Sequence, residues 1–259
     1  MQDGACPELP VGAADAEVVD LLRRAASLQR LARCFAYPAP GHHATVLELL
    51  GHASDDGPLA TLVAAWHGAD EDTMRVAYSN LFLASTPCPP NETAWGDARR
   101  LTGAAAELAD IQGFYRAFGF DLADDGRDMP DHLCAELEFV SALLVKTAYA
   151  KMQGWHEAGE ITASGARSFL ESHLGRWIGA FVERLRALGA APPYREAADV
   201  LEAVIRAECE RHGARPVLTG AAAGIGTEPE QFSCPYDADA PGASGGNARR
   251  STRRRLPVL

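Results

Sequence analysis

Apolar side chains recur along this chain at steps of three and four residues, the spacing that predicts amphipathic helices. The first stripe follows a candidate N-cap at Asp15 and comprises Val18, Leu22, Ala25, Leu28, Ala32 and Phe35. A later helix is predicted after the candidate N-cap Asp70, with Tyr78 and Phe82 one turn apart as core residues. No segment alternates apolar and polar residues over a length that predicts a strand. The pattern therefore predicts an all-α fold of about nine or ten helices.

The second half of the chain carries the strongest helical signals. A helix is predicted to open near Asp128, with Pro130 in its first turn, and to run to about Gly154. The apolar period of residues 169–188 predicts one continuous core helix, and residues 194–212 form the last predicted element. These helices, with the earlier ones, predict a single compact domain over residues 15–213.

The two ends of the chain differ from this domain in composition. Residues 1–14 are expected to be a flexible N-terminus, and residues 214–259 are rich in Gly, Ala, Pro and Arg with few large apolar groups. Such a composition buries too little apolar surface to offset the entropy of ordering. We therefore expect the C-terminal tail to be disordered.

Charge and cysteine usage narrow the class of protein. After residue 213 there are six arginines against four acidic residues, a balance of +2, so the net charge of −11 leaves −13 for residues 1–213. An acidic body repels nucleic acid and favours cationic partners. The six cysteines show neither a CxxC pair nor metal-ligand spacing, so reduced thiols are expected. Without a signal peptide or an apolar run of membrane-spanning length, a cytoplasmic location without membrane insertion is predicted.

The stretch from Met129 to Val140 concentrates the candidate chemistry. His132 lies beside Asp131 and one helical turn before Glu136. Three roles remain open for His132: a local hydrogen bond at a helix start, a ligand contact from an exposed helix start, or a metal ligand or general base. The last role has little support because no second histidine follows at i+3 or i+4.

A proline-rich segment lies upstream of this stretch. Pro87, Pro89 and Pro90 disfavour helix for the residues before them and predict an ordered or semi-extended loop. Glu92 then has two alternative roles: an exposed acidic contact for a basic peptide, or a capping partner for a helix that begins near Asp97. The residues alone do not decide between them.

Two motifs in this order resemble the signature of the TorD/DmsD family of molybdoenzyme maturation chaperones. The first is Tyr-Ser-Asn-Leu-Phe at residues 78–82 with Pro-Cys-Pro-Pro-Asn-Glu at residues 87–92, and the second is Pro-Asp-His with Glu-Leu-Glu-Phe at residues 130–139. The resemblance covers roughly residues 18 to 212. Val140 replaces the usual Met, and Asn91 replaces an aromatic residue often found before the Glu.

The resemblance implies a cytoplasmic chaperone with no catalytic residue, metal or cofactor. Such a protein binds the twin-arginine leader and the folding catalytic subunit of an exported molybdoenzyme until the molybdenum cofactor is inserted, and then releases it for export. The implied leader-binding residues are Asp131, His132, Glu136, Pro89, Pro90 and Glu92. A leader with a cationic start and an apolar middle would suit a groove with acidic rims and an apolar floor.

Other functions fit the sequence as well. A helical adaptor could assemble a respiratory molybdoenzyme without recognising a leader, and a helical metal-dependent enzyme could use His132. Within the resembling family, the subgroup that serves type II enzymes of the dimethyl sulfoxide reductase family fits best. The chain is expected to be a monomer or a weak homodimer, and binding of nucleic acid is not expected.

Overall fold

The computed structural model describes residues 13–51, 58–83, 86–95, 101–122 and 129–219. These residues form nine α-helices, as the helical spacing of apolar residues predicts. They are α1 Ala13–Phe35, α2 His42–Gly51, α3 Pro58–His67, α4 Glu71–Tyr78, α5 Leu101–Ala117, α6 Leu133–Met152, α7 His156–Ser172, α8 Leu174–Ala187 and α9 Pro192–His212. A π-helical turn, Ser79–Leu83, continues α4, and a 3-10 turn spans Glu92–Ala94. These ranges contain no β-strand, so the predicted all-α fold is confirmed.

Helix α6 forms the centre of the fold and packs mainly against α1 and α7. Its side chains are buried on nearly every face over the first three turns, where Leu133, Leu137 and Val140 are completely enclosed. The sequence predicted a single apolar face for this helix. A helix buried all round needs apolar residues on all sides, and α6 becomes exposed only towards its C-terminal end.

An aromatic cluster links the N-terminal helices to the C-terminal ones. Phe82 packs against Phe35, Phe181 and Tyr194, with ring centroids 6.4, 6.2 and 5.4 Å apart. Tyr78 joins the cluster edge-on to Phe82 at 4.9 Å. Tyr78 and Phe82 are 4% and 2% exposed, which confirms their predicted place in the core.

Two of the predicted helix starts are wrong, and one is confirmed. Asp15 lies inside α1, which begins at Ala13, and the buried stripe uses Leu21 rather than the exposed Leu22. The helix predicted near Asp128 begins at Leu133, and residues 129–132 form a turn before it. Asp70, by contrast, caps α4 as expected, because its Oδ1 accepts a hydrogen bond from the Thr73 amide at 2.7 Å.

The continuous helix predicted for residues 169–188 is broken at His173. Backbone angles of φ −128° and ψ −99° at this residue end α7 and start α8. The apolar period runs through the break, which explains why the sequence pattern does not show it. The break places His173 between two helices, and its side chain is 1% exposed.

Beyond α9 the chain folds back along α8. Gly213 ends α9 in the left-handed region with φ 64°, and the Thr219 amide donates to the Arg176 carbonyl at 2.9 Å. Order therefore continues past the boundary predicted at residue 213.

Predictions for residues 1–12 and 220–259, with Cys6 and Cys234, lie outside the described residues. The cysteines in the described ranges, Cys34, Cys88, Cys134 and Cys209, are buried free thiols.

Candidate functional site

A short β-bridge joins the two sequence motifs. Asn91 in the proline-rich loop pairs with His132 before α6 in an antiparallel bridge. The Glu92 amide donates to the Asp131 carbonyl at 2.9 Å, and the Leu133 amide donates to the Pro90 carbonyl at 2.8 Å. Motifs that are forty residues apart in the sequence therefore form one structural unit.

The Asp131 side chain holds the loop in this bridge. Its Oδ1 accepts from the Asn91 amide nitrogen at 3.1 Å, and its Oδ2 accepts from the Thr93 hydroxyl at 2.6 Å. Asp131 is 2% exposed, so these bonds compensate for the burial of its carboxylate. Asp131 thus positions the loop instead of facing solvent.

His132 caps α6. Its Nδ1 accepts a hydrogen bond from the Cys134 amide at 3.2 Å, which satisfies one of the free amides at the helix start. This hydrogen bond is the local role considered for His132 from the sequence. The residue is 8% exposed and also lines a surface cleft, so the capping bond leaves a ligand contact available.

Glu92 lies in a buried ion pair. Its Oε2 is 3.2 Å from Nδ1 of His173, and the same nitrogen lies 3.4 Å from Oε1 of Glu107. Burial opposes the charge on His173, but hydrogen bonds to Glu107 and Glu92 raise its pKa to about 9. The hydrogen bond from His173 lowers the pKa of Glu107, whereas burial raises that of Glu92, so Glu107 chiefly balances the imidazolium.

Glu136 is buried in α6 beside this ion pair. The Trp177 indole N–H donates to its Oε2 at 3.1 Å, while Oε1 has no hydrogen-bond partner among the described residues. Burial, followed by the charge of Glu92, raises the pKa of Glu136 well above its usual value. A neutral carboxyl at this position avoids a second buried negative charge next to Glu92.

The three acidic residues expected at an exposed site therefore face inward. Glu92, Asp131 and Glu136 are 4%, 2% and 0% exposed, so the exposed positions expected for them are wrong. Glu92 is bonded to His173, and the helix start near Asp97 that it was alternatively expected to cap lies outside the described residues. Their role in the fold is to fix the proline-rich loop against α6 and α8.

His173 and Trp177 were missed as members of this cluster. Both stand within an apolar helical period, where a histidine or tryptophan is usually a core residue. Their spacing of four residues was the available signal, because it places both on one face of a helix. Nothing in the sequence alone connects that face to Glu92 and Glu136, which lie 81 and 41 residues before them.

A surface cleft of about 540 Å³ opens where the two motifs meet. It is lined by Tyr37, Ala39, Tyr78, Phe82, Leu83, Pro90, Asn91, Met129 and His132. Three of these side chains, Tyr37, Leu83 and Met129, are more than half exposed. The cleft is thus an open, largely apolar hollow with large exposed side chains at its rim.

The chemistry of the cleft suits an extended apolar segment. Among the residues that the structure describes, no aspartate or glutamate lines it, so the acidic rim expected from the sequence is not found among the described lining residues. Polar atoms come from Asn91, His132 and the two tyrosines. Of the residues expected to bind a leader, the structure brings His132 and Pro90 to the cleft, whereas Pro89 accepts a hydrogen bond from the Trp95 indole at 3.0 Å.

Among the described residues, one group has the composition of a metal site. One ligand atom each from Glu92, Glu107 and His173 lies within 4.8 Å of the others. Carboxylate and imidazole ligands bind zinc at about 2.0–2.2 Å. The observed contacts of 3.2 and 3.4 Å, both to Nδ1 of His173, are those of an ion pair between the imidazole and the two carboxylates. In the described ranges, no helix is both long and apolar enough to cross a bilayer.

Comparison with known proteins identifies relatives for part of the chain. A selenate reductase assembly chaperone protein from Thauera selenatis is 33% identical over 118 residues, which cover 46% of this chain and 59% of the relative. A chlorate reductase assembly chaperone protein from Ideonella dechloratans is 32% identical over 116 residues, covering 45% and 59%. A perchlorate reductase assembly chaperone protein from Dechloromonas aromatica strain RCB is 38% identical over 71 residues, covering 27% and 31%.

The match to a protein family is longer than the match to any of these relatives. This chain spans about 59% of the length of the first two relatives. The family model described as nitrate reductase delta subunit matches residues 38–183, more than half of the 259 residues, and includes both motifs and the whole of α6. The chain therefore belongs to the nitrate reductase delta subunit family, a TorD-like family, which confirms the resemblance carried by its motifs.

Proposed function

We propose that this protein is a cytoplasmic assembly chaperone that binds the leader of a molybdoenzyme catalytic subunit in the cleft between its two motifs. The observation that supports this function is the apolar cleft itself, built from both family motifs and rimmed by exposed large side chains. Relatives named as reductase assembly chaperones support the general role. The protein acts by binding, and no catalytic residue is assigned.

The cleft would take the apolar middle of the leader. An extended peptide can lay alternate side chains into a hollow of this kind, with Leu83, Met129 and Tyr37 closing over it. Asn91 and His132 would supply polar contacts to the peptide. The basic start of the leader would lie outside the cleft, where the acidic body of the chaperone attracts it at longer range.

Asp131, Glu136 and Glu92 would support the binding site without contacting the leader. They hold the proline-rich loop, and therefore Pro89 and Pro90, in the conformation that forms one wall of the cleft. Their replacement would weaken leader binding indirectly, by loosening the wall. Binding and fold stability should therefore change together for these three residues.

The test is calorimetry with a synthetic twin-arginine leader and single variants at the rim. Leu83→Asp and Met129→Asp should each weaken binding at least about tenfold, because a charge would be placed in an apolar contact. Val76→Asp is the matched control, because Val76 is exposed to 61% on α4 and does not line the cleft. Wild-type affinity in both rim variants would exclude the cleft as the leader site.

A leader-independent adaptor remains the second candidate, and the family match to nitrate reductase delta subunits favours it. The two functions separate when the client subunit is offered without its leader. An adaptor would bind the truncated client as well as the intact one, whereas a leader receptor would lose most of its affinity. The expected client is a subunit of a dimethyl sulfoxide reductase family enzyme.

A further inference from the structure

We propose that Glu92, Glu107 and His173 form a binding site for one zinc ion. These three residues, the inner cluster, come from the proline-rich loop, from α5 and from the break between α7 and α8. A bound ion would therefore join three separate parts of the fold. The inference is independent of the function proposed for the cleft, because no residue of the inner cluster is among those that line it.

The spacing of the ligand atoms fits a tetrahedral ion. Ligands bound to zinc at about 2.0–2.1 Å in a tetrahedron lie about 3.3–3.4 Å from each other. Nδ1 of His173 lies 3.2 Å from Oε2 of Glu92 and 3.4 Å from Oε1 of Glu107. One ligand atom of each residue lies within 4.8 Å of the other two, so rotation of the partly exposed Glu107 side chain can close the third edge. The ion pair thus has the spacing of a zinc site from which the metal is removed.

The formal charges around the inner cluster also suit a divalent cation. Glu92, Glu107 and Asp110 contribute three negative charges, and Arg176, at 3.2 Å from Glu107, contributes one positive charge. A zinc ion held by a neutral imidazole brings this sum to zero. In the metal-free protein a protonated His173 leaves it at −1. Because uncompensated charge is costly in a buried site, the cation improves the balance.

A second, independent observation supports a cation at this place. Glu136 is fully buried beside Glu92, and its Oε1 has no hydrogen-bond partner among the described residues. Buried polar atoms nearly always have a partner, so this oxygen needs an explanation. A cation bound to Glu92, or a water molecule carried by that cation, would give Oε1 of Glu136 a positive partner.

Asp110 lies where a carboxylate commonly supports a metal-binding histidine. Nε2 of His173 has no hydrogen-bond partner in the described ranges, and Oδ2 of Asp110 lies 3.3 Å from it. Carboxylates in this position orient the ring of a histidine that holds a metal through its other nitrogen. The side chains of Asp110 and Glu107 are 66% and 21% exposed, so the ion can enter from the side of α5.

The type of ligand favours zinc over harder cations. Magnesium and calcium take six or more ligands, almost all of them oxygen atoms. Zinc accepts imidazole together with carboxylates and is satisfied by four ligands. Three protein ligands leave one position, which a water molecule can fill.

Calorimetric titration of the EDTA-treated full chain with zinc chloride tests the proposal. The wild type should bind one zinc ion per chain with a dissociation constant of about 1 μM or lower. Glu107→Gln should weaken binding at least about tenfold, because a neutral amide replaces a charged ligand. Asp110→Asn should weaken it by about 10- to 100-fold, the usual effect of losing the group that orients a ligand. Both side chains are partly exposed, so both variants are expected to fold.

His156→Asn is the matched control, because the exposed His156 lies one turn before Glu160 on α7 and is an ordinary surface pair. This variant should bind zinc like the wild type. Cobalt bound in place of zinc should show no thiolate charge-transfer absorption, which separates the inner cluster from the cysteines. A wild type that binds no stoichiometric zinc would overturn the proposal. So would wild-type affinity in Glu107→Gln and Asp110→Asn, an equal loss in His156→Asn, or a thiolate band.

Discussion

At the scale of single residues, His173 is the side chain on which the buried polar cluster depends. It bridges the proline-rich loop, through Glu92, to α5, through Glu107. Arg176 adds a second cation on Glu107 at 3.2 Å. Removing one member of a buried pair leaves a charge without its partner, which is costly.

We therefore expect His173→Asn to lower the free energy of unfolding by on the order of 3 kcal/mol. Urea denaturation followed by circular dichroism gives this value. His67→Asn is the matched control, because His67 is exposed at the end of α3 and its change should stay within about 0.5 kcal/mol. Equal stabilities of the two variants would show that the cluster contributes nothing to the fold.

The pH dependence of stability follows from the same histidine. Its pKa is raised to about 9 in the folded state, so the folded protein holds this proton more tightly than the unfolded chain. The stabilisation is complete below about pH 6.5, the ordinary histidine value, and is lost as the pH rises to 9. Melting temperatures of the wild type should fall across this window.

The His173→Asn variant supplies the control for this prediction, because it has no imidazole to titrate. Its melting temperature should change less between pH 6.5 and 9 than that of the wild type. Glu92, Glu107 and Asp110 are the acidic groups that face His173. A fall of the same size in both proteins would assign the pH dependence to another group.

At this scale the sequence showed which residues lie near the junction of the two motifs, but it did not show whether they are buried or exposed. Glu92, Asp131 and Glu136 were selected for good reason, since all three lie in the unit that joins the motifs. Their burial could not be predicted, because Glu92 and Glu136 are covered by His173 and Trp177 from a distant part of the chain, and Asp131 by the proline-rich loop. A carboxylate in a motif looks the same in a sequence whether its partner is a bound peptide or a distant histidine.

At the scale of elements, the junction between α7 and α8 is the sharpest departure from the predicted helices. Gly175 lies in the first turn of α8, where an added Cβ would stand 2.4 Å from the Leu170 carbonyl oxygen and 3.1 Å from Sγ of Cys209. Only a residue without a side chain allows the two helices to approach this closely at the break. The apolar period could not reveal this, because it reports which face is buried and not where the axis turns.

Gly175→Ala should therefore destabilise the protein by about 1–3 kcal/mol, because backbone atoms must move to admit the methyl group. Gly179→Ala in the same helix is the matched control, since nothing lies within 4 Å of its added Cβ. That change should be neutral or stabilising by up to about 1 kcal/mol, from helix propensity. Thermal unfolding of the pair measures both effects, and a stable Gly175→Ala protein would place the close approach elsewhere.

At the scale of the whole molecule, the helical domain extends further than composition indicates. Ala214 is 8% exposed, and both the amide and the hydroxyl of Thr219 donate to the Arg176 carbonyl. The sequence places the boundary at residue 213 because large apolar groups become scarce there. It could not show that a segment with few apolar residues is held by backbone hydrogen bonds.

Two truncations locate the end of the domain. A chain ending at Thr219 should melt like the full-length protein, because the removed residues 220–259 have little apolar surface to bury. A chain ending at Gly213 should be less stable by about 1–2 kcal/mol, since it loses the hydrogen bonds of Ala214 to Cys209 and of Thr219 to Arg176, together with the cover on α8. Identical melting of the two truncated chains would restore the boundary to residue 213.

Salt should act on leader binding through the overall charge of the protein. The net charge is −11, and none of the described residues that line the cleft is a carboxylate, so attraction of a basic leader is expected to operate at a distance. Raising ionic strength from about 0.01 to 0.15 M shortens the screening length from about 30 to 8 Å. Stopped-flow measurements should show a slower association rate with a nearly constant dissociation rate. A dissociation rate that rises as steeply would place acidic groups in direct contact with the bound leader.

The bridge between Asn91 and His132 also governs when the cleft can exist. One wall includes Tyr78, Phe82, Leu83, Pro90 and Asn91, and another includes Met129 and His132; the loop is held by Asp131 in front and by His173, through Glu92, behind. Contacts between such distant segments form late in folding, because a long loop must close first. A nascent chain that has emerged only as far as α6 therefore has all the lining residues of the cleft but lacks the support that His173 gives to the loop. The leader binding proposed for the cleft would therefore begin only after α7 and α8 have also left the ribosome.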